Sequence, residues 1–179
     1  MDSQTIDSVT VRRLSGAEAA AAVEGLADVL IDCVEGGAGV SFVLPIARET
    51  ALAFWRNVAE GVARGERVLL VAQEPNGRIV GTVQLVMAMP QNQPHRADVE
   101  KVLVHRDARR RGVAQRLMAA IDGAAREENK SVLVLDTVTG GDAERLYARA
   151  GWQRVGDIPN YALKPDGTLG GTTFFHKQL

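Results

Sequence analysis

A chain of 179 residues with a formal net charge of −1, 46% hydrophobic and 24% charged residues has the size and composition of one globular domain with a single sizeable core. Near-neutral charge removes any whole-molecule attraction to nucleic acid or an anionic membrane, and 4% aromatic residues is too few for a surface that stacks bases. Cys33 is the only cysteine, which excludes an intramolecular disulfide and reads as an intracellular, cytoplasmic setting.

The opening "MDSQTIDSVT" lacks the basic stretch and apolar run of a signal peptide. No apolar stretch approaches the roughly 20 residues that span a bilayer. "SVTVRRL" (Ser8 to Leu14) alternates apolar and polar and predicts a first strand. Ser15 and Glu18 have the spacing of a capping box, and Val23, Leu26, Ala27, Leu30 and Val34 recur at helical spacing through Glu35. The glycine-rich "EGGAGVSF" ends that pattern. A second helix is expected over Arg48 to Ala63, with Leu52, Trp55, Ala59 and Val62 on one face.

Three strands come next. "RVLLVAQ" (Arg67 to Gln73) and "IVGTVQLVMAM" (Ile79 to Met89) flank Asn76-Gly77, a strong hairpin signal, and "ADVEKVLVH" (Ala97 to His105) is the third. A helix is expected from Gly112 to about Asn129, with Val113, Leu117, Met118, Ile121 and Ala125 inward. "SVLVLDT" (Ser131 to Thr137) has the continuous apolar character of a strand covered on both faces. "DAERLYARA" (Asp142 to Ala150) is a short helix stopped by Gly151. "WQRVGDI" and "TTFFHKQL" are read as closing strands joined by the turn-rich "PNYALKPDGTLGG". A helix between two strands implies a parallel crossover within a largely antiparallel sheet, hence one mixed α/β domain.

Chemistry concentrates in "VHRDARRRGVAQRLM". A strand ends at His105, Arg106, Arg109, Arg110 and Arg111 follow, and a helix opens at Gly112. A helix start offers unpaired N–H groups and a positive dipole end. Glycine there lets a phosphate approach the backbone, and arginine adds charge-assisted bonds. Cations at a helix N-terminus oppose the dipole, so an anionic ligand is expected between them. A Walker-type motif is absent from the sequence, and "GGAGVSF" lies between helices, so it is not a dinucleotide fingerprint. Cys33 reads as a core thiol. His95, His105 and His176 have no metal-ligand spacing, so no metal is expected.

The pattern Arg-x-x-Gly-x-Ala at Arg109, Gly112 and Ala114, followed by "LVLDT" and by Ala143, Leu146, Tyr147, Gly151 and Trp152 in "AERLYARAGWQRVG", resembles the GNAT superfamily of acyl-CoA-dependent N-acetyltransferases. The likeness runs from Arg67 to the C-terminus. "CVEGGAGVSF", "HRADVEKVLV" and "PNYALKPDGTLGGTTFFHK" resemble, more narrowly, the tabtoxin-resistance group. One departure stands out: Gly140 occupies the place before the short helix where the family often carries asparagine.

The resemblance implies a largely antiparallel sheet whose central parallel strands splay around acetyl-CoA. Val102, Leu103 and Val104 would lie along the pantetheine arm, with the backbone of Val102 and Val104 pairing to it. Arg109, Arg110, Arg111, Gly112, Val113, Ala114 and Gln115 would wrap the pyrophosphate. Tyr147 matches the usual acid at the departing sulfur. A carboxylate must take the proton of an ammonium acceptor, and Asp98, Asp136 and Glu100 are the candidates. Simple alternation puts Asp98, Glu100, Val102 and Val104 on one strand face. Glu35, Ser41 and Tyr161 are candidate acceptor contacts by analogy. The reading is direct acetylation of a small-molecule primary amine, an amino acid-like toxin or antibiotic among the candidates, with no nucleic-acid or membrane partner. The sequence admits a homodimer. The alternatives are a protein N-terminal or lysine acetyltransferase, a non-catalytic acyl-CoA sensor, and a nucleic-acid module.

Overall fold

The computed structural model describes residues 9–179, so Ser8 and the opening residues lie outside it. Seven strands form one sheet in the order β1-β2-β3-β4-β5-β7-β6. The strands are β1 (Thr10–Leu14), β2 (Arg67–Gln73), β3 (Ile79–Val86), β4 (Arg96–Val104), β5 (Val132–Val138), β6 (Gln153–Leu163) and β7 (Leu169–Gln178). The helices are α1 (Gly16–Ala21), α2 (Val23–Glu35), α3 (Arg48–Ala63), α4 (Val113–Glu127) and α5 (Asp142–Arg149). Among the described residues only β4 and β5 run parallel; every other neighbouring pair is antiparallel.

Both sheet faces are covered, which explains the unbroken apolar run of β2. Leu69 and Val71 pack under α1–α3 with Leu26, Leu30, Trp55 and Val58. Val68 and Leu70 face the other way, onto Leu117, Met118 and Ile121 of α4. The capping box at Ser15 is formed, with Glu18 N–H donating to Ser15 Oγ at 3.2 Å and Ser15 N–H to Glu18 Oε2 at 2.8 Å. The single helix expected through Glu35 is two: the chain breaks at Ala22, whose φ of −100° and ψ of 2° leave the helical well.

Two further departures concern strands. β3 stops at Val86 rather than Met89. The turn-rich tail is mostly strand, because β6 continues to Leu163 and β7 starts at Leu169. The pairing slips between Ile158 and Ala162, where Pro159 and Asn160 sit in an irregularity of this edge strand, the place a sheet tolerates proline. The actual turn is Lys164 to Thr168, closed by Lys164 N–H donating to the Thr168 carbonyl at 2.8 Å.

Candidate active site

The site begins with a failure of pairing. β4 and β5 are in parallel register at Arg96–Val132, Ala97–Leu133 and Asp98–Val134 and no further. β5 continues against β7 up to Val138, so a wedge opens between the two parallel strands. His105 N–H donates to the Val80 carbonyl on the β3 side at 2.9 Å. Alternation therefore turns the main-chain groups of Val104 and Val102 toward the wedge, and Leu103 toward β3. The Val104 carbonyl receives Arg109 Nε at 3.4 Å and Cys33 Sγ at 3.5 Å from the cleft side.

A bulge shapes the wall. The register slips between Thr82 and Gln84, with Thr82 opposite Leu103 but Gln84 opposite Glu100, so β4 carries one extra residue. Lys101 absorbs it with φ of +52°. The bulge overturns the expected alternation: Ala97 and Val99 share a face with Val102 and Val104, while Leu103 joins the α1–α3 core. Asp98, Glu100, Val102 and Val104 are therefore not on one face.

The resulting cleft has a volume of about 620 Å3 and is lined by the α2–α3 loop, β4, the end of β5 and α5. Gly39 lets the α2–α3 loop close against β5, since a Cβ there would lie 2.3 Å from Val138 Cγ2. At one end, Gly112 caps α4 with φ of +70°, a left-handed conformation that suits glycine. The Val113, Ala114 and Gln115 N–H groups have no partner within the helix, as the first intrahelical bond is Arg116 N–H to the Gly112 carbonyl at 3.1 Å. The Val113 side chain itself is buried in the core, whereas Gln115 is exposed.

The arginines divide. Arg106 N–H donates to Asp32 Oδ2 at 2.9 Å and its guanidinium to Asp32 Oδ1, which pins it to α2. Arg111 Nη1 lies 3.0 Å from Glu74 Oε1 on the β2–β3 turn, away from the cleft lining. Arg110 is exposed with φ of +61°. Arg109 lines the cleft.

Tyr147, Asp136 and Glu100 also line the cleft. Burial, with the Asp136 charge nearby, pushes the Tyr147 phenol up to about 12. Its ring packs edge-on to Trp152 at 6.3 Å and against Phe175 at 5.7 Å between centroids. Asp136 Oδ2 accepts from Thr172 Oγ1 at 3.0 Å. Glu100 Oε2 lies 3.9 Å from both Arg67 Nη1 and Lys101 Nζ. A smaller cavity of about 130 Å3 adjoins the cleft, lined by Ser41, Asp136, Tyr161 and Lys164 among others. Asp136 to Val138 border both spaces.

Two of the expected carboxylates are elsewhere. Asp98 lies outside the cleft lining, in the last paired register of β4 and β5, with its carboxylate held by Arg96. Glu35 borders a separate groove with Asp28, Arg48 and Arg106. Cys33, two residues earlier and so on another side of α2, is the one that meets the cleft. Lys101 and Thr172 were not anticipated. The consecutive charges of Glu100 and Lys101 inside "DVEKVLV" break the strand alternation, and that was the available signal for the bulge. Among the described residues no group of three or more His, Cys, Asp or Glu side chains could hold a metal ion.

The wedge, the unpaired β4 edge and the arginine-flanked helix start fit the arm and pyrophosphate of an acyl-CoA. A solved Salmonella typhimurium acetyltransferase, yncA, which contains its cofactor acetyl-CoA, has the same fold: TM-score 0.74, 20% identity, 96% of this chain and 94% of that one. The Brucella melitensis ribosomal-protein-alanine N-acetyltransferase superposes with a TM-score of 0.75 at 25% identity over 95% of this chain and 99% of that one. An uncharacterized N-acetyltransferase encoded in the hisH–hisA intergenic region of Azospirillum brasilense is 36% identical over 113 residues, 62% of this chain; the match spans about two thirds (65%) of that relative's length. The family model of the acetyltransferase (GNAT) family matches residues 41–152, from the cleft loop to Trp152, and the chain belongs to that family.

Proposed function

We propose that the protein moves an acetyl group from acetyl-CoA directly to the primary amine of a small molecule. The observation that carries this reading is the junction at Asp136, where the long cleft meets the 130 Å3 cavity. A cavity of about 150 Å3 accommodates benzene, so the smaller space suits a compact amine-bearing group.

Acetyl-CoA supplies the activated acyl group. The chain's part is to hold it and manage protons. Arg109 and the free N–H groups at Gly112 to Gln115 are placed for a pyrophosphate, and Val102 and Val104 offer main-chain partners to an amide-bearing arm. The Val102 N–H is the donor that would polarise a carbonyl. Asp136 is placed to take the ammonium proton, directly or through a water; Glu100 is the second candidate base, already flanked by two cations. A phenol at about 12 stays protonated at physiological pH, well above the ordinary thiol value of about 8.5. Tyr147 therefore acts as a hydrogen-bond donor to the departing sulfur more than as a full proton source.

The narrower likeness to the tabtoxin-resistance group supports an amino acid-like toxin or antibiotic as acceptor. The Brucella relative, named for a ribosomal-protein alanine, supports a second reading, acetylation of a protein N-terminus. A thermal-shift titration with acetyl-CoA, followed by thiol release over small amines and N-terminal alanyl peptides, tests both. A specific ligand raises the melting temperature as its concentration exceeds Kd. Stabilisation with turnover of small amines is expected; no stabilisation by any acyl-CoA overturns the reading, and turnover of peptides alone selects the second.

A further inference from the structure

The β4 bulge leaves a cation in the cleft that acetyl transfer does not use. We propose that Lys101 and Ser41 form an anion subsite, so that the acceptor is an amine that also carries a carboxylate, phosphinate or phosphonate group. This rests on the small-amine reading above and narrows its acceptor.

The Lys101 side chain lines the cleft yet is only 10% exposed. An ammonium has three N–H donors, and the described residues provide one acceptor within hydrogen-bond distance, Ser41 Oγ at 3.2 Å. The nearest carboxylate, Glu100 Oε2, is 3.9 Å away, beyond a hydrogen bond, and is equally distant from Arg67. Two cations thus share the Glu100 carboxylate, and Asp136 acts on Lys101 only through its charge, so Nζ has no carboxylate at hydrogen-bond distance. The Phe54 ring, its centroid 5.5 Å from Nζ, gives partial compensation. Burial holds the ammonium below the ordinary lysine range, as expected of an under-neutralised charge.

An oxyanion between Nζ and the Ser41 hydroxyl would take up the idle donors and supply the close counter-charge that Nζ lacks. Across the cleft, Asp136 presents the opposite sign from β5. A cation on one wall and an anion on the other match a molecule carrying both an ammonium and an acid group. Both residues also hold positive φ, +52° for Lys101 and +79° for Ser41, a conformation disfavoured for a residue with a Cβ.

The test uses the full chain, acetyl-CoA and matched acceptors: amino acids against the amines left when the carboxylate is removed, and 2-aminoethylphosphonate against ethylamine. Wild type should favour the anionic member in kcat/KM by at least tenfold. Lys101→Met should cut that preference at least tenfold, mainly through KM for the anionic acceptor, and Lys101→Arg should retain part of it. A preference that survives Lys101→Met, that moves with Lys164→Met instead, or that favours the plain amine in wild type overturns the subsite. If no pair is turned over, the small-amine reading fails by itself, and malonate then reads the subsite. Malonate should raise the melting temperature of the acetyl-CoA-bound wild type and not of Lys101→Met; equal shifts in both, or none, overturn it.

Discussion

Lys101 Nζ donates to Ser41 Oγ across 3.2 Å, joining the β4 bulge to the loop that follows α2. The Lys101 side chain is nine-tenths buried with no carboxylate in hydrogen-bond contact, and burial lowers its pKa from the ordinary 10.5. The sign follows from proton linkage: when the folded value lies below the unfolded one, the charged form opposes folding. That penalty is fully present below the folded pKa and disappears as pH rises toward 10.5. Lys101→Met should therefore be more stable than wild type to urea at pH 7, with the gap closing as pH rises toward 10.5. A less stable variant at pH 7 would mean that the Glu100 and Phe54 contacts outweigh desolvation.

The carboxylates separate by position. Asp136 borders both cavities, while Asp98 sits in the joined part of the sheet under Arg96. General-base assistance is worth about 10²–10⁴ in rate. Asp136→Asn should lower kcat by roughly a hundredfold or more, whereas Asp98→Asn should change it by less than about threefold and act on stability instead. Steady-state kinetics on both variants decides it. Equal losses would return Asp98 to the reaction.

Most of the fold was readable from the sequence because its signals are local. The unbroken apolar run of β2, the Asn76-Gly77 turn and the Leu117–Ile121 face of α4 each follow from side-chain pattern. The turn geometry was equally legible, since Gly112 and Arg109 sit in a strand-to-helix turn whose physics is local. The geometry around Lys101 was not. One inserted residue at Lys101 reverses every side chain after it, and simple alternation cannot register that reversal. Charge alone also could not tell that Arg106 and Arg111 are claimed by Asp32 and Glu74, partners 74 and 37 residues away. The tail from Pro159 to Gly171 misled for the converse reason, because turn residues occupy an edge strand that tolerates them.

That division of the arginines has measurable consequences. Arg109 faces the cleft, so Arg109→Ala should weaken acetyl-CoA binding by about 10- to 100-fold, the worth of one charge-assisted hydrogen bond of about 1.5–3 kcal/mol. Arg111→Ala should act mainly on stability through the β2–β3 turn, with a smaller effect on affinity. Gly112→Asp should abolish binding and leave the fold, because aspartate is a good N-cap and tolerates positive φ, yet places a negative charge against the pyrophosphate. Calorimetric titration with acetyl-CoA, alongside circular dichroism, separates affinity from folding. Unchanged affinity in Gly112→Asp would make the turn a mere helix start.

The proposed role of Tyr147 would link turnover to alkaline stability. Its folded pKa of about 12 lies above the ordinary 10.0, so between these values the folded chain holds a proton that the unfolded chain has lost. Stability is therefore lost as pH rises through this window, by up to about 3 kcal/mol for two units. Tyr147→Phe has no proton to lose and should escape that decline, which denaturant titrations at pH 9 and pH 11 would reveal. The same variant should lower kcat by about 10- to 100-fold, since a sulfur leaving without its hydrogen bond is a poorer leaving group. KM for acetyl-CoA should change little, because the ring, packed on Trp152 and Phe175, keeps its shape without the hydroxyl. A variant that keeps full kcat while losing the alkaline decline would make Tyr147 a wall of the cleft and leave the sulfur's partner to be sought elsewhere.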